Sequence, residues 1–250
     1  MKMPIIVILL AFTISATAQI PRIASDAALD KLLSSGLGDY VLDLHALQQT
    51  QALNEGMAVY RIAVKPDGTL DRFERISGDP ELQAQAEQSI ALWHFGQVRL
   101  QDKPNEATAW WSMVGVCYGS GWGMLVPCEP PAIDAREFRQ TTLPVRLVLQ
   151  TKIVAGKSDK FEFGPLKRIK GWRFSRPEAA RLARIEGRIV VLFTITPEGK
   201  VTDIRKAIGH PLLVTDAGDK LKEWKFDPIT ILGAHVPATV LLTIDYHAND

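Results

Sequence analysis

The chain has 250 residues, 46% of them hydrophobic, and its 29 lysines and arginines nearly balance its 28 aspartates and glutamates. This near-zero net charge gives no indication that the chain binds nucleic acid or an acidic membrane surface. Without an N-terminal leader, the chain is still long enough for two domains of ordinary size.

The N-terminus has the pattern of a secretion signal. Lys2 precedes an apolar run over residues 4–14, and small residues fill positions 15–18 before Gln19. This pattern predicts a signal peptide over residues 1–18 and an exported mature protein. The apolar run is shorter than the roughly 20 residues that span a bilayer. An uncleaved membrane anchor is the alternative that stays open. Residues 19–53, with leucines at near-helical spacing, are predicted to be helical and to cap the first folded unit.

Residues 55–112 and 186–243 carry the same pattern, displaced by 131 positions. The identities fall on turn residues and aromatic residues, which a backbone dictates most strongly. They include Gly68/Gly199, Gly78/Gly209, Pro80/Pro211, Trp93/Trp224, Phe95/Phe226 and Ala107-Thr108/Ala238-Thr239. We therefore interpret the two stretches as two copies of one supersecondary unit.

Each copy is predicted to run strand, strand, helix, strand. Alternating apolar residues over 58–64 and 189–195 lead into Pro-x-Gly turns and a second strand, which makes a hairpin. A Gly-x-Pro step then begins a helix with one apolar stripe. A last strand follows over residues 107–118 and 236–246. The predicted fold class is α+β: two tandem units, each an antiparallel sheet with one helix packed on a face.

The predicted domains are a first unit over residues 19–128, a connecting segment over 129–170 and a second unit over 171–250. The connecting segment has one predicted strand over 142–150 and a loop over 152–160. Cys117 and Cys128 flank a glycine-rich turn, which in an oxidising compartment predicts a disulfide. Two free thiols are the alternative.

The sequence offers little for catalysis. The five histidines are dispersed, no metal-ligand spacing or nucleophile motif is present, and we expect neither an enzyme nor a cofactor. Trp93 and Trp224 are predicted core residues, and His210 a helix cap. Trp110 and Trp111 should face opposite sides of a strand, so that one of them is exposed. Core or hairpin packing is the favoured role of these two and Trp122, and an apolar binding surface is the alternative. The basic run over 167–176 is interpreted as a solvated segment.

The string from Glu186 to Phe226, with Pro197-Glu198-Gly199, Gly209-His210-Pro211 and Trp224-Lys225-Phe226, resembles the C-terminal domain of TonB-family energy transducers. The resemblance covers about residues 175–247, and residues 50–118 are similar to a diverged second copy. It implies a periplasmic domain that grips an extended segment of an outer-membrane TonB-dependent receptor by β-augmentation. The partner-binding edge strand is then predicted at Val240, Leu241, Leu242, Thr243, Ile244 and Asp245, as an exposed edge.

The chain departs from that family's pattern in two ways. Its leader is predicted to be cleaved, and no proline-rich spacer follows it. We therefore expect a periplasmic protein-binding module rather than a self-sufficient energy transducer. A structural envelope protein without a peptide ligand, and an anchored transducer with an uncleaved leader, are the alternatives. A homodimer also remains open, and an enzyme is the least favoured class.

Overall fold

The computed structural model describes residues 33, 37–46, 54–119, 122–130, 143–157 and 160–247. The predicted signal peptide lies outside this range. The strands are β1 (Gly38–Asp43), β2 (Gly56–Val64), β3 (Leu70–Gly78), β4 (Trp110–Tyr118), β5 (Val126–Cys128), β6 (Val145–Val154), β7 (Glu162–Phe163), β8 (Leu166–Lys170), β9 (Gly187–Ile195), β10 (Val201–Ile208), β11 (Lys225–Phe226), β12 (Thr230–Ile231), β13 (Ala234–His235) and β14 (Ala238–Tyr246). The α-helices are α1 (Gln83–Ile90), α2 (Glu178–Leu182) and α3 (Pro211–Lys222), and short 3-10 turns cover Leu44–Ala46 and Pro80–Leu82. The fold is of the α+β class.

The first sheet has four antiparallel strands in the order β3-β2-β4-β5. On β2 the alternate residues Ala58, Tyr60, Ile62 and Val64 are buried on one face, as the period of two requires. Helix α1 buries its own apolar stripe, so that one layer of helix covers one layer of sheet.

The second sheet has five strands in the order β1-β6-β14-β9-β10. Strands β14, β9 and β10 pair antiparallel. Strand β6 pairs parallel with β14, and β1 pairs parallel with β6. Helix α3 buries Leu213, Ala217 and Leu221, and Trp224 follows at the end of the same stripe. Two strands from earlier in the chain therefore extend the three-stranded C-terminal sheet.

Equivalent positions in the two halves have the same local geometry. Strands β2 and β9 have bounds that differ by 131 residues at both ends. The backbone N–H of Phe95 donates to Gly68, and that of Phe226 donates to Gly199, both at 2.8 Å. A Cβ atom on either glycine would lie 2.0 Å from the carbonyl oxygen of that phenylalanine. Only glycine fits such an approach.

The last strands show where the ungapped alignment fails. Trp110 pairs with the end of β2, and Ala238 pairs with the end of β9, so these two residues are equivalent at a displacement of 128. The sequence pairing of Ala107 with Ala238 is therefore wrong, because the loop before β4 is three residues longer than the loop before β14. Both last strands also begin a few residues later than predicted.

Two further expectations are corrected. Residues 38–43 form strand β1, not a helix, and the rest of the predicted helical segment lies mostly outside the described residues. Strand β6 starts at Val145 and continues to Val154, so the predicted loop at 152–160 begins only after β6 ends. Leucine spacing misled in the first case, because β1 gains its hydrogen bonds from β6, more than 100 residues away.

One hydrophobic cluster runs through both halves of the chain. Tyr40 on β1 packs against Trp93 of the first half, with ring centroids 5.1 Å apart. The indole N–H of Trp122 donates to the Thr230 carbonyl at 3.1 Å, which joins a first-half loop to strand β12 of the second half. The two halves are thus packed together.

Candidate partner-binding edge

Strand β14, where we predicted the partner-binding edge, is paired on both sides. It pairs with β9 from Ala238 to Tyr246 and with β6 from Thr239 to Asp245. Its residues Val240, Leu241, Leu242 and Ile244 are at most 1% exposed. The expectation of an exposed edge is therefore wrong, because β6 covers the side that faces away from β9.

Strand β6 packs beside β14 with buried side chains on both of its faces. Leu149 joins the main core, whereas Val148 packs with Leu33, Leu192 and Leu241 in a separate cluster on the opposite face. Val148, Leu149 and Thr151 are all 0% exposed. The covering strand is thus an integral layer of the sheet.

A charged contact joins the end of β6 to the end of β14. The Asp245 carboxylate lies 2.7 Å from Lys152 Nζ on β6 and accepts a hydrogen bond from Arg188 Nε on β9, also at 2.7 Å. These contacts, the Arg188 bond first among them, lower the pKa of Asp245 despite its burial. Asp245 therefore has one basic partner on each neighbouring strand.

A second charged contact joins the start of β6 to β1. Arg146 donates from Nε to Asp39 Oδ1 at 2.7 Å and from Nη2 to Oδ2 at 2.9 Å. The same Nη2 group donates to the Leu33 carbonyl at 2.7 Å. Asp39 is 1% exposed, and this burial raises its pKa to about 6, although the Arg146 hydrogen bond and charge act in the opposite direction.

Three outer strands of the two sheets, β10, β3 and β1, are less regular sites for an added strand than β14. On β10 the register breaks between Thr202 and Arg205, where Asp203 has a φ of +46°. On β3 it breaks near both ends. The backbone of β1 is contacted from outside by the Gly96 N–H, which donates to Asp39. Bulges and charged residues of this kind interrupt a regular ladder.

The predicted disulfide between Cys117 and Cys128 is confirmed. It joins neighbouring strands β4 and β5, whose paired residues are Gly115 to Cys117 on β4. The last strand of the first half, β4, therefore also has its outer side covered by a strand of this chain, though over three residues only.

The tryptophans follow the predictions in part. Trp93 and Trp224 are buried core residues. Trp110 is buried, and Trp111 lies on the opposite face with the guanidinium groups of Arg61 and Arg72 each 4.7 Å from its ring centroid. Trp122 is 1% exposed, which agrees with the favoured packing role and removes Trp122 from the alternative apolar surface.

The helix caps follow the prediction as well. His210 accepts a hydrogen bond from the Leu212 N–H at the start of α3, and Asp79 accepts one from Glu81 at the equivalent place.

Comparison with known proteins bears on the C-terminal half. Residues 172–248 match the family described as Gram-negative bacterial TonB protein C-terminal. This part of the chain is a TonB C-terminal domain. The solution NMR structure of the Pseudomonas aeruginosa TonB C-terminal domain is similar at 23% identity, covering 37% of this chain and 98% of that one, with a TM-score of 0.31. No curated protein matches the chain.

The matched range contains some strands of the second sheet and leaves others outside it. The TonB C-terminal domain supplies β9, β10 and β14, whereas β6 lies before residue 172 and thus outside the domain. A domain of this kind indicates a protein-binding role associated with transport in the cell envelope. Within the described residues, no helix is both long and apolar enough to cross a membrane.

Proposed function

We propose that the protein binds an extended segment of another envelope protein by pairing it with β14 in the place of β6. The observation that carries this proposal is that β14 already holds, in parallel, a strand from outside the TonB C-terminal domain. In β-augmentation the main chain supplies affinity and alternate side chains supply specificity. The β14 ladder with β6 has both components, since it runs over seven residues and ends at the charged Asp245.

The partner we propose is an outer-membrane transporter of the TonB-dependent class. The support is the resemblance of the C-terminal part to energy transducers together with the strand-accepting side of β14. We further propose that the first half is a diverged second copy of the unit. Two observations support this interpretation. The bounds of β2 and β9 differ by 131 residues at both ends, and both halves have the same glycine-to-phenylalanine contact.

Site-specific photocrosslinking in the native envelope tests the proposal. A photoreactive residue at Thr243, a partly exposed position on β14, should crosslink to an outer-membrane transporter. The matched control is the same residue at Thr202, which is exposed on the bulged strand β10. Equal crosslinking from both positions, or none to any other protein from Thr243, would contradict a partner on β14.

A structural envelope protein without a peptide ligand is the second candidate. The observation that favours it is the charged contact at each end of β6, which fixes this strand between β1 and β14. In that case Thr243 should crosslink only to β6 of its own chain. The two functions therefore differ in the mass of the product.

The proposed location is the periplasm, after cleavage of residues 1–18. Mass spectrometry of soluble and membrane fractions tests it. A mature N-terminus at Gln19 in the soluble fraction is expected. An intact Met1 in the membrane fraction would contradict cleavage and would make an anchored energy transducer the better description.

A further inference from the structure

The strand β6 has the properties of a ligand that is part of the chain. Resting on the function proposed above, we propose that β6 is an internal competitor for the side of β14, and that the external segment replacing it has the same chemistry. That segment is extended and parallel to β14. It is apolar in its middle and carries one basic residue near each end, six positions apart.

Strand β6 lies before the domain in the chain and pairs with β14 in parallel. A parallel partner cannot be joined to β14 by a tight turn, so its connection must cross over. The chain leaves β6 through β7 and β8 and enters the domain at residue 172, before α2 and β9. Because no hairpin ties β6 to β14, an external strand in the same direction can make the same backbone hydrogen bonds without a change in the domain itself.

Buried charge also joins β6 to its two neighbouring strands. Asp39 and Asp245 are buried, and each contacts a basic residue of β6. Arg146 and Lys152 are six positions apart and so lie on the same face of the strand. A strand in the place of β6 should supply both cations. Without the first, Asp39 loses its basic partner, which is costly for a buried carboxylate. Without the second, Asp245 keeps Arg188 alone.

The contact between Lys152 and Asp245 can be exchanged at low cost. When Lys152 leaves, Asp245 keeps its hydrogen bond from Arg188 on β9. Lys152 itself is about half exposed, with 48% of its side chain accessible. Arg188 therefore keeps the Asp245 carboxylate in place when Lys152 is absent. Loss of the Lys152 contact should weaken the pairing of β6 with β14 without unfolding the protein.

A fluorescent peptide with the sequence of residues 145–154 is a suitable probe for the full mature protein. In fluorescence anisotropy, Lys152→Gln should bind this peptide about tenfold more tightly than the unchanged protein, since one charged hydrogen bond of the internal strand is lost. Lys152→Arg should bind it as weakly as the unchanged protein. Arg205→Gln, which removes an ion pair on β10, is the matched control and should change nothing.

The chemistry of the ligand is tested by the peptide itself. Replacing its own lysine by glutamine should reduce binding to Lys152→Gln by about tenfold for the same reason. If Lys152→Gln keeps a native circular dichroism spectrum and still binds the peptide no better, β6 is not a competitor. If the glutamine peptide binds equally well, the charge requirement is wrong.

The two proposals can fail separately. Peptide exchange without any crosslink from Thr243 to an envelope protein would uphold the internal competitor and overturn the proposed function. A transporter crosslinked to Thr243, together with peptide binding that ignores Lys152, would uphold the function and overturn the role of β6.

Discussion

Replacing Asp39 by asparagine should flatten the pH dependence of stability between pH 7 and pH 5. The Asp39 carboxyl is buried beside Arg146, and burial raises its pKa to about 6. In the unfolded chain its pKa is about 3.9. The folded protein therefore binds this proton more tightly, so the contribution of Asp39 to stability grows as the pH falls through 6 and is complete near pH 4.

The magnitude follows from the two pKa values. At pH 7 the carboxyl is almost fully ionised in both states, and at pH 5 it is mostly protonated only in the folded state. The free energy of proton binding by the folded protein, relative to the unfolded chain, changes by about one pKa unit between these pH values. Asp39 should therefore make the protein about 1.3 kcal/mol more stable at pH 5 than at pH 7. Carboxyls with lowered pKa, such as Asp245, act in the opposite direction in both proteins and cancel in the comparison.

Urea unfolding of both proteins at the two pH values measures this difference. Asp39→Asn also changes the hydrogen bonds to Arg146, which adds an offset to stability at both pH values, so only the change with pH is diagnostic. Asp203→Asn is the matched control, because asparagine tolerates the positive φ found there. If Asp39→Asn gains as much stability on acidification as the unchanged protein, burial does not raise the pKa of Asp39.

Three further predictions concern stability. Trp224→Ala should cost about 3–5 kcal/mol in urea unfolding, because the indole is buried and its N–H donates to Trp172; an unchanged midpoint would contradict its core role. Leu242→Pro should abolish folding rather than partner binding alone, since β14 is hydrogen-bonded on both sides, and a native circular dichroism spectrum would refute this. Replacing Cys117 and Cys128 by alanine should cost about 2–3 kcal/mol, and a smaller loss would mean that β5 is held by packing.

Local features of the fold were predictable from the sequence. The hairpin turns, the caps at Asp79 and His210, and the buried tryptophans depend on residues within a few positions of one another. The disulfide was predictable because only two cysteines are present and a short turn separates them. Such signals survive in one sequence because each is decided by local backbone geometry.

The pairing of β6 was not predictable in the same way. A parallel pair has no connecting turn to mark it, and β6 pairs with segments about 90 residues after it and 107 residues before it. The Asp39–Arg146 contact spans the same distance in sequence. One signal was nevertheless present, because Val240, Leu241 and Leu242 are consecutively apolar. A strand buried on both faces reads as such a run and belongs inside a sheet, whereas an edge strand carries charges.

The burial of β14 also explains why an internal competitor suits this domain. A long apolar strand with one unpaired side would be a template for aggregation with any extended chain it met. Covering it permanently would remove the binding site, whereas leaving it open would expose the hazard continuously. A strand of the same chain, fixed by two basic residues to two buried carboxylates, keeps the side of β14 closed until a segment with matching charges replaces it. In the proposed mechanism, affinity for the partner is reduced by the competition. Selectivity is gained because a strand without the cation opposite Asp39 leaves that buried carboxylate unpaired.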